Sequence, residues 1–273
     1  LSRGRDGIVR LLPASPALRP WVAGYWHSSP AVALGATTRE WVLPDGHAHL
    51  ALRLDGTPLR RWVGGEVDAR VIGDAVLAGP HSRAYLKEVV PGTASVGVVF
   101  RPGALRALFG MAAAELVDCH VALEDVWGQE VAALRERLQA GTPALRLSLL
   151  EAGLLARLRP SHGLHPQVAA RLGQVEDGAR IAEIARAAGY SARRFTDLFH
   201  EGVGMTPRRY ANLRRFARVL PSAAATTAWS DVALDGGYSD QAHLVREFRA
   251  HAGMTPGEYR RAAPRALRHV PAP

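Results

Sequence analysis

The sequence predicts an α+β protein of two domains, a β-rich, barrel-like first part carrying some helices and an all-α second part. Three observations point there. Short apolar runs separated by turn signals fill Trp41 to Phe100, with period-two alternation over His47 to Leu54, and a duplicated pattern with helical spacing runs from residue 181 to 259. A proline- and glycine-punctuated stretch, Arg159-Pro160-Ser161-His162-Gly163, lies between them and suits a linker.

In the first part, Pro44-Asp45-Gly46 is a turn signal. His47, His49, Ala51 and Arg53 then alternate with Ala48, Leu50, Leu52 and Leu54, the mark of a half-buried strand that Asp55-Gly56 closes. Apolar runs at Val71 to Leu77 and Val96 to Phe100 continue the series, and short strands at this spacing suggest a small barrel or sandwich. Helices return after Arg101-Pro102-Gly103. Thr142-Pro143 offers an N-cap with proline at the first helical position. Leu147, Leu150, Leu154, Leu155 and Leu158 then share one face, which either packs on its own domain or meets a partner helix in a homodimer.

Two groupings in this half could carry chemistry. His47 and His49 fall on one side of the expected strand, with His27 and His81 elsewhere, and paired imidazoles on a barrel strand can begin a cupin-like metal site. No Glu or third His follows at a recognisable spacing, so they read as pocket-lining groups. His47, His49 and Arg53 are therefore candidates for binding an effector, and no metal is expected. Cys119 beside His120 could form a thiol–imidazole pair, but neighbours on a strand point opposite ways and an incidental cysteine fits better. No catalytic residue and no cofactor is expected.

Composition narrows the class. Apolar residues are 48% and charged residues 22% of 273, as in ordinary globular domains. One cysteine excludes an intramolecular disulfide framework and fits a reducing compartment. No apolar run approaches the roughly 18 residues of a membrane span, so a cytoplasmic protein without a membrane partner is expected. The formal charge is +9, carried almost wholly by arginine, with Lys87 the only lysine. Residues 161–273 hold 16 arginines against 10 acidic residues, which concentrates the excess there. Such a balance favours polyanionic partners.

In the second part, Ile184-Ala185, Gly189-Tyr190-Ser191, Gly204-Met205-Thr206-Pro207 and Tyr210 recur as Val232-Ala233, Gly237-Tyr238-Ser239, Gly253-Met254-Thr255-Pro256 and Tyr259. Each copy reads as a helix, a turn at glycine and a second helix. Ser191 caps one second helix and Ser239 or Asp240 the other. Phe195, Leu198 and Phe199, and then Leu244 and Phe248, form buried stripes that leave arginines outward. That is the pattern of two helix-turn-helix units, residues 181–200 and 229–250, and it points to double-stranded DNA as partner.

The run Gly237-Tyr238-Ser239-Asp240-Gln241-Ala242-His243-Leu244, then Arg246-Glu247-Phe248, Gly253-Met254-Thr255-Pro256 and Tyr259-Arg260, closely resembles the signature of AraC/XylS-type transcriptional regulators. The resemblance covers residues 165–263. It implies seven helices, a long one near Arg208 to Ala223 joining the units, and recognition helices in successive major grooves about 34 Å apart. It places base-edge contacts on Arg193, Thr196 and Asp197, and on Gln241, Ala242, His243, Val245 and Arg246. Asp197 either accepts from a cytosine amino group or reads no base, and Ala242 and Val245 can make apolar contacts alone, for instance with a thymine methyl. Phosphate contacts fall on Arg194, Thr206, Arg208, Arg209 and Thr255, at or near helix starts.

Val42-Leu43-Pro44-Asp45-Gly46 and Val99-Phe100-Arg101-Pro102-Gly103-Ala104 resemble the sensor domains of one AraC subgroup. Together these likenesses imply a bacterial regulator. Residues 1–160 would be a regulatory domain binding a small-molecule effector or forming a homodimer, 165–263 the DNA-binding domain and 264–273 a tail. RNA polymerase would be a partner if it is an activator. The alternatives are a cupin-like metal-dependent enzyme fused to a DNA-binding domain, and a DNA-repair protein with a reactive thiol, which lacks a zinc-binding set to activate it.

Overall fold

A computed structural model describes residues 11–28, 37–62, 68–264 and 266–272. Eight strands come first: β1 (Val22–Ser28), β2 (Thr38–Val42), β3 (His49–Arg53), β4 (Leu59–Trp62), β5 (Arg70–Gly73), β6 (Ala75–Ala78), β7 (Tyr85–Val89) and β8 (Ser95–Phe100). Then follow α1 (Ala104–Phe109), β9 (His120–Ala122), α2 (Glu124–Trp127), α3 (Glu130–Ala140) and α4 (Pro143–Leu155). The strands form two antiparallel five-stranded sheets, ordered β1-β8-β3-β6-β9 and β10-β2-β7-β4-β5, where β10 (His269–Pro271) comes from the far end of the chain. The barrel-like closure expected from the strand pattern is not made, and the sheets remain separate. The Val71 to Leu77 run explains part of this: Gly73 and Asp74 break it, so β5 joins one sheet and β6 the other.

Alternation sets which face of the first sheet is dry. Leu50 and Leu52 of β3 lie with Leu77, Val96, Val98 and Phe100 against Leu105, Leu108, Val131, Leu138, Leu150 and Leu154 of the helices. Thr142 caps α4 as expected, its hydroxyl accepting from Leu145 N at 3.4 Å. The leucine face of α4 is mostly inward: Leu150 and Leu154 are buried, Leu147 and Leu158 pack against the core, and Leu155 is exposed. The opposite face of the first sheet, with His49, Ala51 and Arg53, looks toward the second sheet. There Arg53 donates to the Glu88 carbonyl of β7.

The second part is helical throughout: α5 (Pro166–Ala169), α6 (Leu172–Glu176), α7 (Ile181–Ala187), α8 (Ala192–Val203), α9 (Pro207–Ala224), α10 (Trp229–Asp235), α11 (Gln241–Ala252) and α12 (Pro256–Arg261). The helix count is one above the seven that the resemblance implies, because the segment before α7 is split into α5 and α6. Phe195, Phe199, Tyr210, Leu213, Phe216, Phe248 and Tyr259 form one core through α8, α9, α11 and α12. Leu43 of the first domain and Val270 of β10 are built into that same core. Within 264–273, expected as a tail, His269–Pro271 return to the first domain and pair as β10 with β2, His269 opposite Val42 and Pro271 opposite Glu40. No helix among the described residues is long and apolar enough to cross a membrane.

Candidate nucleic-acid interface

Both helix-turn-helix units follow from the local sequence. In the first, α7 ends at Gly189 with φ 78°, a left-handed conformation that strains residues bearing a Cβ. Ser191 Oγ then accepts from Arg194 N at 3.2 Å and starts α8. Phe195, Leu198, Phe199 and Val203 turn inward, which leaves Arg193, Arg194 and Asp197 exposed. Thr196 is half-buried, and its hydroxyl donates back to Ala192 O at 2.8 Å.

The second unit repeats the device at Gly237, φ 71°. Asp240, not Ser239, supplies the cap, accepting from His243 N at 2.7 Å. That hydrogen bond holds the Asp240 carboxyl below the usual carboxylate range. Gln241, Ala242 and Arg246 are exposed and Val245 is half-buried. His243 is engaged within the fold: Ser239 Oγ lies 3.1 Å from its Nδ1 and Glu247 Oε1 lies 3.4 Å from its Nε2. Glu247 also accepts from Asn212 Nδ2 at 2.9 Å and Arg215 Nη2 at 3.0 Å. The α11 face is thereby fixed to α9 through a charged network.

Helix starts carry the remaining candidates. Thr206 Oγ1 accepts from Arg209 N at 3.4 Å and Thr255 Oγ1 from Glu258 N at 3.2 Å. Thr255 is closed in a capping box, since Glu258 Oε2 accepts its backbone N–H at 2.7 Å. Arg208 is exposed. Arg209 points the other way: its Nη2 donates to Ser82 Oγ, and to Asp118 Oδ2 at 3.3 Å, both in the first domain.

That contact is one of several across the domain boundary. His251 of α11 donates through Nδ1 to Ser82 O at 2.8 Å. Arg214 of α9, paired with Glu176 of its own domain at 3.3 Å, also reaches His47 Nε2 at 3.3 Å across the boundary, while Arg268 ion-pairs with Asp45. Asp45 is buried, which alone would raise its carboxyl, but His49, His47 and Arg268 around it hold it well below the carboxylate range.

The expected pairing of His47 with His49 on one strand is not formed. β3 begins at His49, and His47 lies in the Asx turn before it, where its backbone N–H donates to Asp45 Oδ1 at 2.9 Å. Its ring donates through Nδ1 to Phe100 O at 2.9 Å. His49 is bound to Asp45 at 3.1 Å. A different imidazole cluster occupies the space between the sheets. His81 and His120 lie 4.6 Å apart, each 4.7 Å from the Tyr85 ring, and Arg61 donates to both. Burial pushes His81 down to about 4 and His120 well below its ordinary value, so both are neutral acceptors. Cys119 is exposed. Among the described residues no three His, Cys, Asp or Glu side chains are grouped to hold a metal ion.

Sequence reasoning missed Arg61, Tyr85, Ser82 and Asp118.

Two recognition-type helices, each following a glycine turn and presenting arginine, define a DNA-binding module. Residues 184–262 match the family model described as "Helix-turn-helix domain", and residues 10–122 match a family described only as a domain of unknown function, DUF6597. Residues 184–262 are thus a helix-turn-helix domain of the AraC type. An uncharacterized HTH-type transcriptional regulator of Haemophilus influenzae is 29% identical over 124 residues, 44% of this chain and 40% of that relative's length. Among solved structures, an apo ToxT variant from Vibrio cholerae is 11% identical, with TM-score 0.45 over 86% of this chain and 96% of that one. An AraC-type regulator from Chromobacterium violaceum is 25% identical, with TM-score 0.31 over 37% of this chain and 90% of the other.

Proposed function

We propose that the chain regulates transcription by binding specific DNA with α8 and α11, under the control of a small molecule held in the first domain. The carrying observation is that two units with exposed Arg193 and Arg246 are joined by a single 18-residue helix, α9, and share its core. A continuous helix fixes the two readers relative to one another, as successive grooves require. Base reading is assigned to Arg193, Asp197, Gln241, Ala242, Val245 and Arg246, with smaller parts for Thr196 and His243, whose polar atoms already have partners in the fold. Phosphate contacts are assigned to Arg194, Arg208 and the capped starts at Thr206 and Thr255.

Arg209 is the one proposed phosphate ligand that the first domain occupies. This supports a division of labour in which residues 1–160 respond to an effector and alter Arg209's availability to DNA bound by residues 165–263. His49 and Arg53 line the inter-sheet space and fit the effector role better than His47, which faces α9. A homodimer and contact with RNA polymerase belong to the same reading as partners of an activator acting in the cytoplasm.

The test is selection of an operator from random duplexes by the full chain, followed by gel shift. Enrichment of one sequence, with its preference relaxed in Arg246→Ala, is the expected result. Binding that stays equal across all duplexes would remove specific regulation from the reading.

A further inference from the structure

The two helix-turn-helix units are held to α9 by different means. In the first, Phe195, Leu198, Phe199 and Val203 anchor α8 in the large core, and Arg106 of the first domain ion-pairs with Glu201 of α8. In the second, the start of α11 rests on a small separate cluster of Val219, Val232, Ala233, Tyr238 and Leu244. Apolar packing is non-directional, and a cluster of five side chains leaves the angle of a helix weakly specified.

Arg215, in the middle of α9, supplies direction. Its Nη1 donates to Gly237 O, in the turn of the second unit, at 3.3 Å. Its Nη2 donates to Asn212 Oδ1 and to Glu247 Oε2 of α11, both at 3.0 Å. The guanidinium carbon lies over the Tyr238 ring, 4.9 Å from its centroid. The pair with Glu247 is mostly shielded from water, its side chains 24% and 17% exposed. One planar group thus grips the turn, the recognition-type helix and the linker helix at once. Its donors point in fixed directions, which neither an ammonium nor an apolar contact reproduces. His243 extends the grip. Ser239 N donates to its Nδ1 at 3.3 Å, so the neutral ring carries its proton on Nε2, toward Glu247 Oε1 at 3.4 Å. Among the described residues no side chain of α9 bonds the Gly189 turn of the first unit; Arg171, which precedes α6, donates to Ala187 O there.

We propose that Arg215 is a positioning residue for DNA recognition: through the Gly237 turn and Glu247 it sets where α11 stands on α9, and so the groove spacing that the chain accepts. The proposal rests on reading α8 and α11 as the two DNA readers. One base pair added between the half-sites they read moves the second by about 3.4 Å along the duplex and about 35° around it. A rigid pair of readers loses contacts on that change, whereas a hinged pair follows it.

Competition gel shift of the full chain tests it, on the selected operator and on derivatives with one base pair inserted or removed between the half-sites. The parent should prefer its own spacing by about tenfold or more. In Arg215→Gln that preference should fall to about threefold or less, with the preferred bases inside each half-site unchanged. Arg215→Lys keeps a charge opposite Glu247 without the fork and should fall between the two. Arg218→Gln, exposed on the next turn of α9, should behave as the parent. The salt slope of Arg215→Gln should equal the parent's, and a fall of about one unit would make Arg215 a phosphate ligand and overturn the proposal. So would a folded Arg215→Gln that keeps the parent's spacing preference, or one that loses affinity equally at every spacing. Should Arg215→Gln fail to fold by circular dichroism, Glu247→Gln, which removes the same ion pair, is read by the same criteria. A parent that selects no operator removes the regulator reading and this one with it. A parent that selects an operator but binds every spacing alike overturns the present proposal alone.

Discussion

Arg209, in the first turn of α9, donates across the domain boundary to Asp118 at 3.3 Å and to Ser82. The Asp118 carboxylate is fixed in place to receive it. Its backbone takes φ 56°, which Asp tolerates better than most residues, and its side chain accepts from Ser82 N at 2.7 Å. On the proposed reading, Arg209 at the start of the helix that follows a recognition helix would meet a DNA phosphate. In this conformation the first domain supplies the anion instead.

Asp118→Asn should therefore free Arg209 for DNA. Non-specific affinity is expected to rise, and the slope of log K against log salt to steepen by about one unit. The ion pair is substantially exposed on both sides, so stability should change by less than about 1 kcal/mol. Salt titrations of fluorescence anisotropy on a random duplex read both effects, and an unchanged slope would show that Arg209 does not reach phosphate.

Arg193→Ala and Arg246→Ala test base reading. Each side chain is exposed on a recognition-type helix and free of any ion pair among the described residues. Each loss should cost about 1–3 kcal/mol on the selected operator and relax one base pair. Competition gel shifts with single-base operator variants measure this. Loss of affinity equal on every duplex would reassign the arginine to phosphate.

The duplicated glycines Gly204 and Gly253 separate local strain from domain contact. Both close a recognition-type helix in the left-handed conformation, φ 87° and 72°. A Cβ at Gly253 meets nothing within 4 Å, whereas one at Gly204 comes within 2.8 Å of Pro80 Cγ and 3.0 Å of Ala113 O. Gly253→Ala should cost about 1–2 kcal/mol from backbone strain alone. Gly204→Ala should cost more and loosen the two domains. Denaturant unfolding compares them, and equal costs would mean that the boundary yields freely.

The neutral imidazoles give a pH dependence. His81 titrates at about 4 when folded against an ordinary value near 6.5, so between those values the unfolded chain binds more protons. Stability contributed by the neutral ring is complete above about pH 6.5 and is lost as pH falls toward 4, on the order of 1 kcal/mol per pH unit. His81→Asn should flatten the dependence of Tm on pH across that window. A profile as steep as the parent's would place the effect on other buried histidines, such as His120 or His251.

How much of this was legible follows from how local each feature is. Caps at Ser191, Thr206 and Thr255, and turns at Gly189 and Gly237, depend on residues within four positions, so the duplication exposed them. The β3 alternation likewise marked Leu50 and Leu52 as core. By contrast β10 is three residues long, too short to show a period, and its partner strand lies more than 220 residues away. Arg61 meets His120 across 59 residues and Arg209 meets Asp118 across 91. Contacts between sheets or domains leave no periodic trace. His47 and His49 resemble a strand pair in sequence only because the turn at Asp45-Gly46 runs on past its own signal, as far as Ala48.

The returning strand sharpens the expectation for the isolated DNA-binding domain. Leu43 and Val270 are buried in its core at 2% and 1% exposure, and β10 lies at the edge of its sheet, paired with β2 of the first domain. A fragment of residues 165–273 keeps Val270 but loses both Leu43 and the partner strand, which leaves an unpaired edge prone to association. A fragment of 165–264 removes the edge as well and gives up about 1.5–3 kcal/mol for each buried aliphatic side chain lost. Phe195, Phe199, Phe216, Phe248 and Tyr259 remain, so the shorter fragment should fold with a lowered Tm and select the same operator as the full chain. Because it also lacks Asp118, its salt slope should be the steeper of the two. Circular dichroism with gel shift on the selected operator decides the matter: a folded 165–264 fragment that leaves the operator unbound would make the first domain part of the reader.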